Sequence, residues 1–119
     1  MISDKFTTIM SNSAQNQQPA LQETKVILLR ELDIDPDVEQ KDLTSSYDEL
    51  KRTIAERIRH LLSSHYEYLL NLLYRIDVDE TKVADTLASY QPDEVPDILA
   101  EMIIERQLQK VVTRQYYRQ

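Results

Sequence analysis

The sequence predicts an all-α protein: a small helical bundle of three to four helices, with one long central helix and a flexible N-terminal tail. Three observations predict it. The 119 residues include no glycine, where a globular chain of this length carries about eight. The stretch 47–76 repeats its apolar residues at helical spacing. Proline, serine, threonine and aspartate stand where helices start, ahead of the apolar runs.

The absence of glycine also excludes chemistry. Phosphate-cradling loops, dinucleotide fingerprints and nucleophile elbows need glycine where the backbone takes positive φ or approaches a ligand closely. Two-residue hairpins lose Asn-Gly and Asp-Gly turns, which argues against a β meander. Without cysteine there is no disulfide, thiolate nucleophile or cysteine zinc site. A formal net charge of −7 disfavours unassisted binding to nucleic acid or anionic lipid. No signal-like start and no apolar run near the ~20 residues of a membrane helix are found, so a cytoplasmic location with no membrane partner is expected.

Residues 1–18 are mostly Ser, Thr, Asn and Gln and are expected to form the tail, with 19–119 as a single helical domain. Phe6, Ile9 and Met10 within the tail share the spacing of one docking turn. Pro19 opens the first helix, with Leu21, Leu28 and Leu32 at helical spacing. The run Val26-Ile27-Leu28-Leu29 would also suit a short strand; helix is the preferred reading. An acidic linker follows at about 33–44, interrupted by Pro36.

Thr44, Ser45 or Ser46 can cap the second helix, and Asp48 and Glu49 complement its dipole. Tyr47, Leu50, Ile54, Ile58, Leu61, Leu62, Leu69, Leu72, Leu73 and Ile76 share one face. Continuous, this helix would be about 45 Å long, with Ser63-Ser64 as its weak point. Beyond that point tyrosines and leucines cover most of the circumference, so that half should be covered on several sides. Asp79 is the expected N-cap of a short helix to about Ser89, with Val78 and Val83 as its hydrophobic staple. The last helix starts near Pro96 and runs to about Tyr117, its early and late apolar sets on different sides. No glycine C-cap exists, so helices should end by fraying, by 3₁₀ tightening or at a following proline. No internal repeat is apparent.

Few residues offer chemistry. His60 and His65 are about 140° apart on one helix and should not share a metal; His65 falls in the apolar arc and reads as a core histidine. Asp33-x-Asp35-x-Asp37 and Asp77-x-Asp79-x-Thr81 resemble the start of a calcium loop. Both lack the turn glycine and the final bidentate acid, so they read as an acidic loop and a helix cap. No catalytic, cofactor or metal site is expected. Nor is a small-molecule substrate or an enzyme.

Arg106, Lys110, Arg114 and Arg118 form a basic stripe on the last helix. It could complement the helix dipole, meet the acidic 31–49 segment, dock an acidic protein or contact phosphates. The leading expectation is an acidic helical protein–protein interaction module: an adaptor, accessory subunit or regulator. Its faces would be Leu28 and Leu32 of the first helix, and Leu50, Ile54, Ile58 and Leu61 of the second. If these faces do not cover each other, they predict a homodimer. The alternative is a nucleic-acid-associated regulator using the basic stripe.

Overall fold

The computed structural model describes residues 17–34 and 47–117. Five helices form there: α1 (Gln17–Glu31), α2 (Tyr47–Ser64), α3 (Tyr66–Ile76), α4 (Glu80–Ser89) and α5 (Val95–Tyr117). The small all-α bundle is the fold the sequence predicts, and the described residues contain no strand. Val26–Leu29 is helical, and α1 begins at Gln17, so Pro19 lies inside its first turn rather than at its first position. The Phe6–Met10 turn, residues 35–46 of the acidic segment, and Arg118 lie outside the described residues.

The helix count exceeds three to four because the long central helix divides. Ser63 Oγ and Ser64 Oγ both donate to the His60 carbonyl oxygen, at 3.0 and 2.7 Å. Such back-bonding competes with the helical ladder and bends it. His65 leaves the helical region at φ −143°, ψ 59°. The ladder resumes at once, since His65 N–H donates to Leu61 O and Leu69 N–H to His65 O. The break is confined to one residue. His65, expected in the core, stands at this break and is exposed.

The core gathers around α5. Leu50, Ile54, Ile58 and Leu61 of α2 join Leu99, Ala100, Ile103 and Ile104 of α5 in one cluster, each at most 2% exposed. The two helices run antiparallel: Lys51 Nζ meets Glu101 Oε2 at 3.2 Å near one end, and Leu62 adjoins Val95 at the other. Leu28 and Leu32 of α1 belong to the same cluster. Farther along α5, Leu108 and Val111 pack with Ala20. The two faces offered as interaction surfaces are thus both covered within a single chain, chiefly by α5. That removes the reasoning that led to a homodimer.

Two helix ends depart from expectation together. Asp33 (φ 55°) and Asp77 (φ 72°) take the left-handed conformation that glycine usually supplies. At α1, Ile34 N–H donates to Leu29 O and Asp33 N–H to Arg30 O; at α3, Val78 N–H donates to Leu73 O and Asp77 N–H to Tyr74 O. Both pairs are the Schellman pattern, built on aspartate. They do not fray. The segments Leu28-Leu29-Arg30-Glu31-Leu32-Asp33-Ile34-Asp35 and Leu72-Leu73-Tyr74-Arg75-Ile76-Asp77-Val78-Asp79 match in their aliphatic positions and their two aspartates, and differ at the third and fourth residues. A short repeat is present after all, and it encodes a helix stop. The carbonyl before each left-handed aspartate accepts from a cation on another helix: Leu32 O from Arg57 Nε at 2.9 Å, Ile76 O from Lys110 Nζ.

The start of α4 follows the sequence closely. Asp79 Oδ1 accepts from Thr81 N–H at 2.9 Å and Lys82 N–H at 3.4 Å, while Val78 and Val83 are both buried. Asp79→Ala should cost about 1 kcal/mol. Ile58→Ala, at a fully buried site, should cost about 2–5 kcal/mol. Denaturant unfolding of each variant against the parent chain measures both, and the order of the two costs is the sharper expectation.

Candidate functional site

The outer half of α3 is not covered on several sides. Leu69, Leu72, Leu73 and Ile76 are buried, but Tyr66, Leu70 and Tyr74 remain 45%, 37% and 74% exposed. These three stand four residues apart and form one stripe. Opposite lies α4, only ten residues long, with Val83 and Thr86 turned into the core and Leu87 half-buried. A helix that short cannot wall off the whole apolar circumference of α3.

A groove of about 390 Å³ remains between them, with Leu70 and Tyr74 on one wall, Ala84 and Leu87 on the other, and Leu73, Val78 and Val83 beneath. A second hollow of about 340 Å³ shares Leu87 and is lined also by Leu62, Tyr90, Pro92 and Pro96. Glu80 lines the first hollow and Arg59 the second. Glu67, exposed, is one turn before Asn71 on the groove side of α3. The result is two mostly apolar hollows on either side of Leu87, with Tyr74 at one and Tyr90 at the other. The sequence carried the signal in the apolar excess of 66–76 beside the thin apolar face of 80–89.

The basic stripe has a different fate. Arg106 Nε donates to Asp77 O at 3.0 Å and Arg106 Nη2 to Asp77 Oδ2 at 2.9 Å. Lys110 donates to Ile76 O. These two cations therefore close the C-terminus of α3, where a helix dipole favours positive charge. They complement a neighbouring helix rather than their own. Arg114 is exposed beside Tyr116 and Tyr117, whose rings meet edge-to-face at 5.4 Å. Leu28, Leu32, Leu50, Ile54, Ile58 and Leu61 are core residues; the structure brings them together, away from any surface.

The hydrogen bond and charge of Arg106 hold the Asp77 carboxyl below its ordinary value of 3.8. Burial, then the charge of Arg106, pulls the Lys110 ammonium down. Burial, reinforced by Glu101, pushes the Glu105 carboxyl up. Burial does the same to the Tyr47 phenol, with Glu105 and Glu101 adding to it. Asp77 and Asp79 are committed to a helix stop and a helix start, which accounts for the second calcium-like spacing. Among the described residues no group of three or more His, Asp or Glu side chains converges as a metal site would require. No helix there is long and apolar enough to cross a membrane.

The break at His65 does bring the two histidines together. Their ring centroids are 5.9 Å apart, and both rings are exposed. The 140° separation assumes helical dihedrals at every residue, and His65 does not have them.

No family model matches this chain, and no curated protein or solved structure matches it.

The Asp77–Arg106 pair makes a signed prediction. A carboxyl held low in the folded state stabilises the fold above the ordinary carboxylate range, and that contribution is lost as pH falls through 3.8 and below. Asparagine tolerates the left-handed conformation, so Asp77→Asn isolates the charge. Its stability should fall less steeply than the parent's between about pH 5 and 2, as followed by acid-dependent unfolding.

Proposed function

We propose that this chain is a small acidic helical protein–protein interaction module whose α3–α4 groove takes an amphipathic, net-basic helix from a protein partner. The supporting observation is the pair of uncovered apolar hollows that share Leu87, one lined by Leu70 and Tyr74 and the other by Tyr90 and Pro92. A helix laid across such a pair buries residues at i, i+3/i+4 and i+7. Exposed tyrosines at such a site are the side chains that most often carry binding energy. The module acts by presenting a surface, as an adaptor, accessory subunit or regulator does.

Charge selects the partner. The chain's net charge of −7 and Glu80 at the first hollow favour a helix whose polar face is rich in Lys and Arg there, with Arg59 facing its other end. The nucleic-acid alternative is weakened, because Arg106 and Lys110 already serve Asp77 and Ile76.

Titration of the labelled protein with a Leu/Lys amphipathic model helix tests the proposal by nuclear magnetic resonance. Shift changes should cluster at Leu70, Tyr74, Leu87 and Tyr90. Leu70→Glu should weaken binding at least about tenfold, and Tyr74→Ala by about 2 kcal/mol, while Val26→Glu on the far face of α1 should leave it unchanged. Shifts scattered over all helices, or equal affinity for the Leu70→Glu variant, would overturn it. Light scattering that shows a dimer abolished by Leu70→Glu would place a second copy in the groove instead.

A further inference from the structure

The two hollows carry charges of opposite sign, and α4 runs from one to the other. Among the described residues, Glu80 is the only charged side chain lining the first hollow and Arg59 the only one lining the second. Both are exposed, and neither is paired with an opposite charge. Glu80 opens α4, Leu87 is shared by both hollows, and Tyr90 follows the last residue of the helix. Its ten residues span about 15 Å, so about three turns of a partner helix lie alongside.

Resting on the reading of these hollows as a helix-binding face, we propose that they take their partner helix in one direction, antiparallel to α4. Acidic residues in its first turn meet Arg59, and Lys or Arg in its last turn meets Glu80. Charge matching alone leaves two arrangements, since a base-first helix laid parallel to α4 would meet the same two residues. The partner's own dipole decides between them. Acids stabilise the N-terminus of a helix and cations its C-terminus, each by roughly two- to fivefold in helix population. The acid-first helix gains that stability at both ends, and the base-first helix loses it at both. The backbone of this chain supports the same signs. Val95 and Pro96 at the start of α5 line the second hollow, so the positive end of that helix adds to Arg59. The positive end of α4 is met by the Asp79 carboxylate, which accepts from Thr81 and Lys82 N–H, and the first hollow keeps the sign of Glu80.

A model helix with Glu in its first turn, Lys in its later turns and Leu at i, i+3/i+4 and i+7 tests the direction on the full chain. A nitroxide label is placed at one end and then at the other, and broadening of the protein's magnetic resonance signals is read. The N-terminal label should broaden Arg59, Tyr90 and Val95 most strongly, and the C-terminal label Leu70, Glu80 and Ala84. Arg59→Glu alone should weaken binding about two- to fivefold. Arg59→Glu combined with Glu80→Lys should exchange the two broadening patterns, with circular dichroism unchanged because both positions are exposed. Equal broadening of both hollows by either label, or the same pattern in the charge-swapped chain, would overturn the direction while leaving the helix-binding face in place. Absence of shift changes at Leu70, Tyr74, Leu87 and Tyr90 would overturn the binding face and the direction with it.

Discussion

Burial of α5 on more than one side is the constraint from which the rest of the molecule follows. Leu99, Ala100, Ile103 and Ile104 enter the main cluster with α2, and Leu108 and Val111 extend the contact to α1. Each large aliphatic side chain removed from water contributes about 1.5–3 kcal/mol, so no other element offers comparable stabilisation. Ala55 and Ala100 are both buried in the same cluster, and their small side chains let α2 and α5 approach closely. Once α5 is fixed, Arg106 and Lys110 are fixed with it. They arrive at the end of α3 because packing brings them there.

What could be read from the sequence divides along the same line. The Asp79 cap, the Val78–Val83 staple, the start of α5 near Pro96 and the buried stripe Leu50–Ile54–Ile58–Leu61 depend on residues within one or two turns, and all were legible. The targets of Arg106 and Lys110 were not, since they sit 29 and 34 positions away in the chain. His65 was misplaced for a narrower reason. A helical wheel assumes helical dihedrals at every residue, and His65, next to two serine hydroxyls bonded to one carbonyl, does not have them. The aspartate helix stops escaped notice because glycine is the usual marker of that geometry, although the repeated pattern of two leucines followed by aspartate was there to be seen.

The groove arises from unequal partners. α3 is apolar over most of its surface, while α4 is a single short helix tethered by Asp79 at its start and by the Pro92–Pro96 segment beyond its end. The core takes Leu69, Leu72, Leu73 and Ile76, and α4 takes what it can reach. Tyr66, Leu70 and Tyr74 are left over. No single residue marks such a site in the sequence, because the site is a deficit of cover. It becomes visible only when the apolar demand of one helix is compared with the apolar supply of the next.

Placing aspartate at Asp33 and Asp77 has a consequence in the denatured ensemble. A left-handed non-glycine residue costs roughly 1–2 kcal/mol in the native state, at two positions here. Against that, each residue that replaces a glycine narrows the backbone freedom of the unfolded chain by about 0.4–1 kcal/mol where the native conformation allows it. Across the eight or so glycines that a chain of this length would ordinarily carry, that narrowing is several kcal/mol, of the same order as the cost. Part of the stability of this bundle is therefore held in the stiffness of the chain before it folds, where no contact between helices records it.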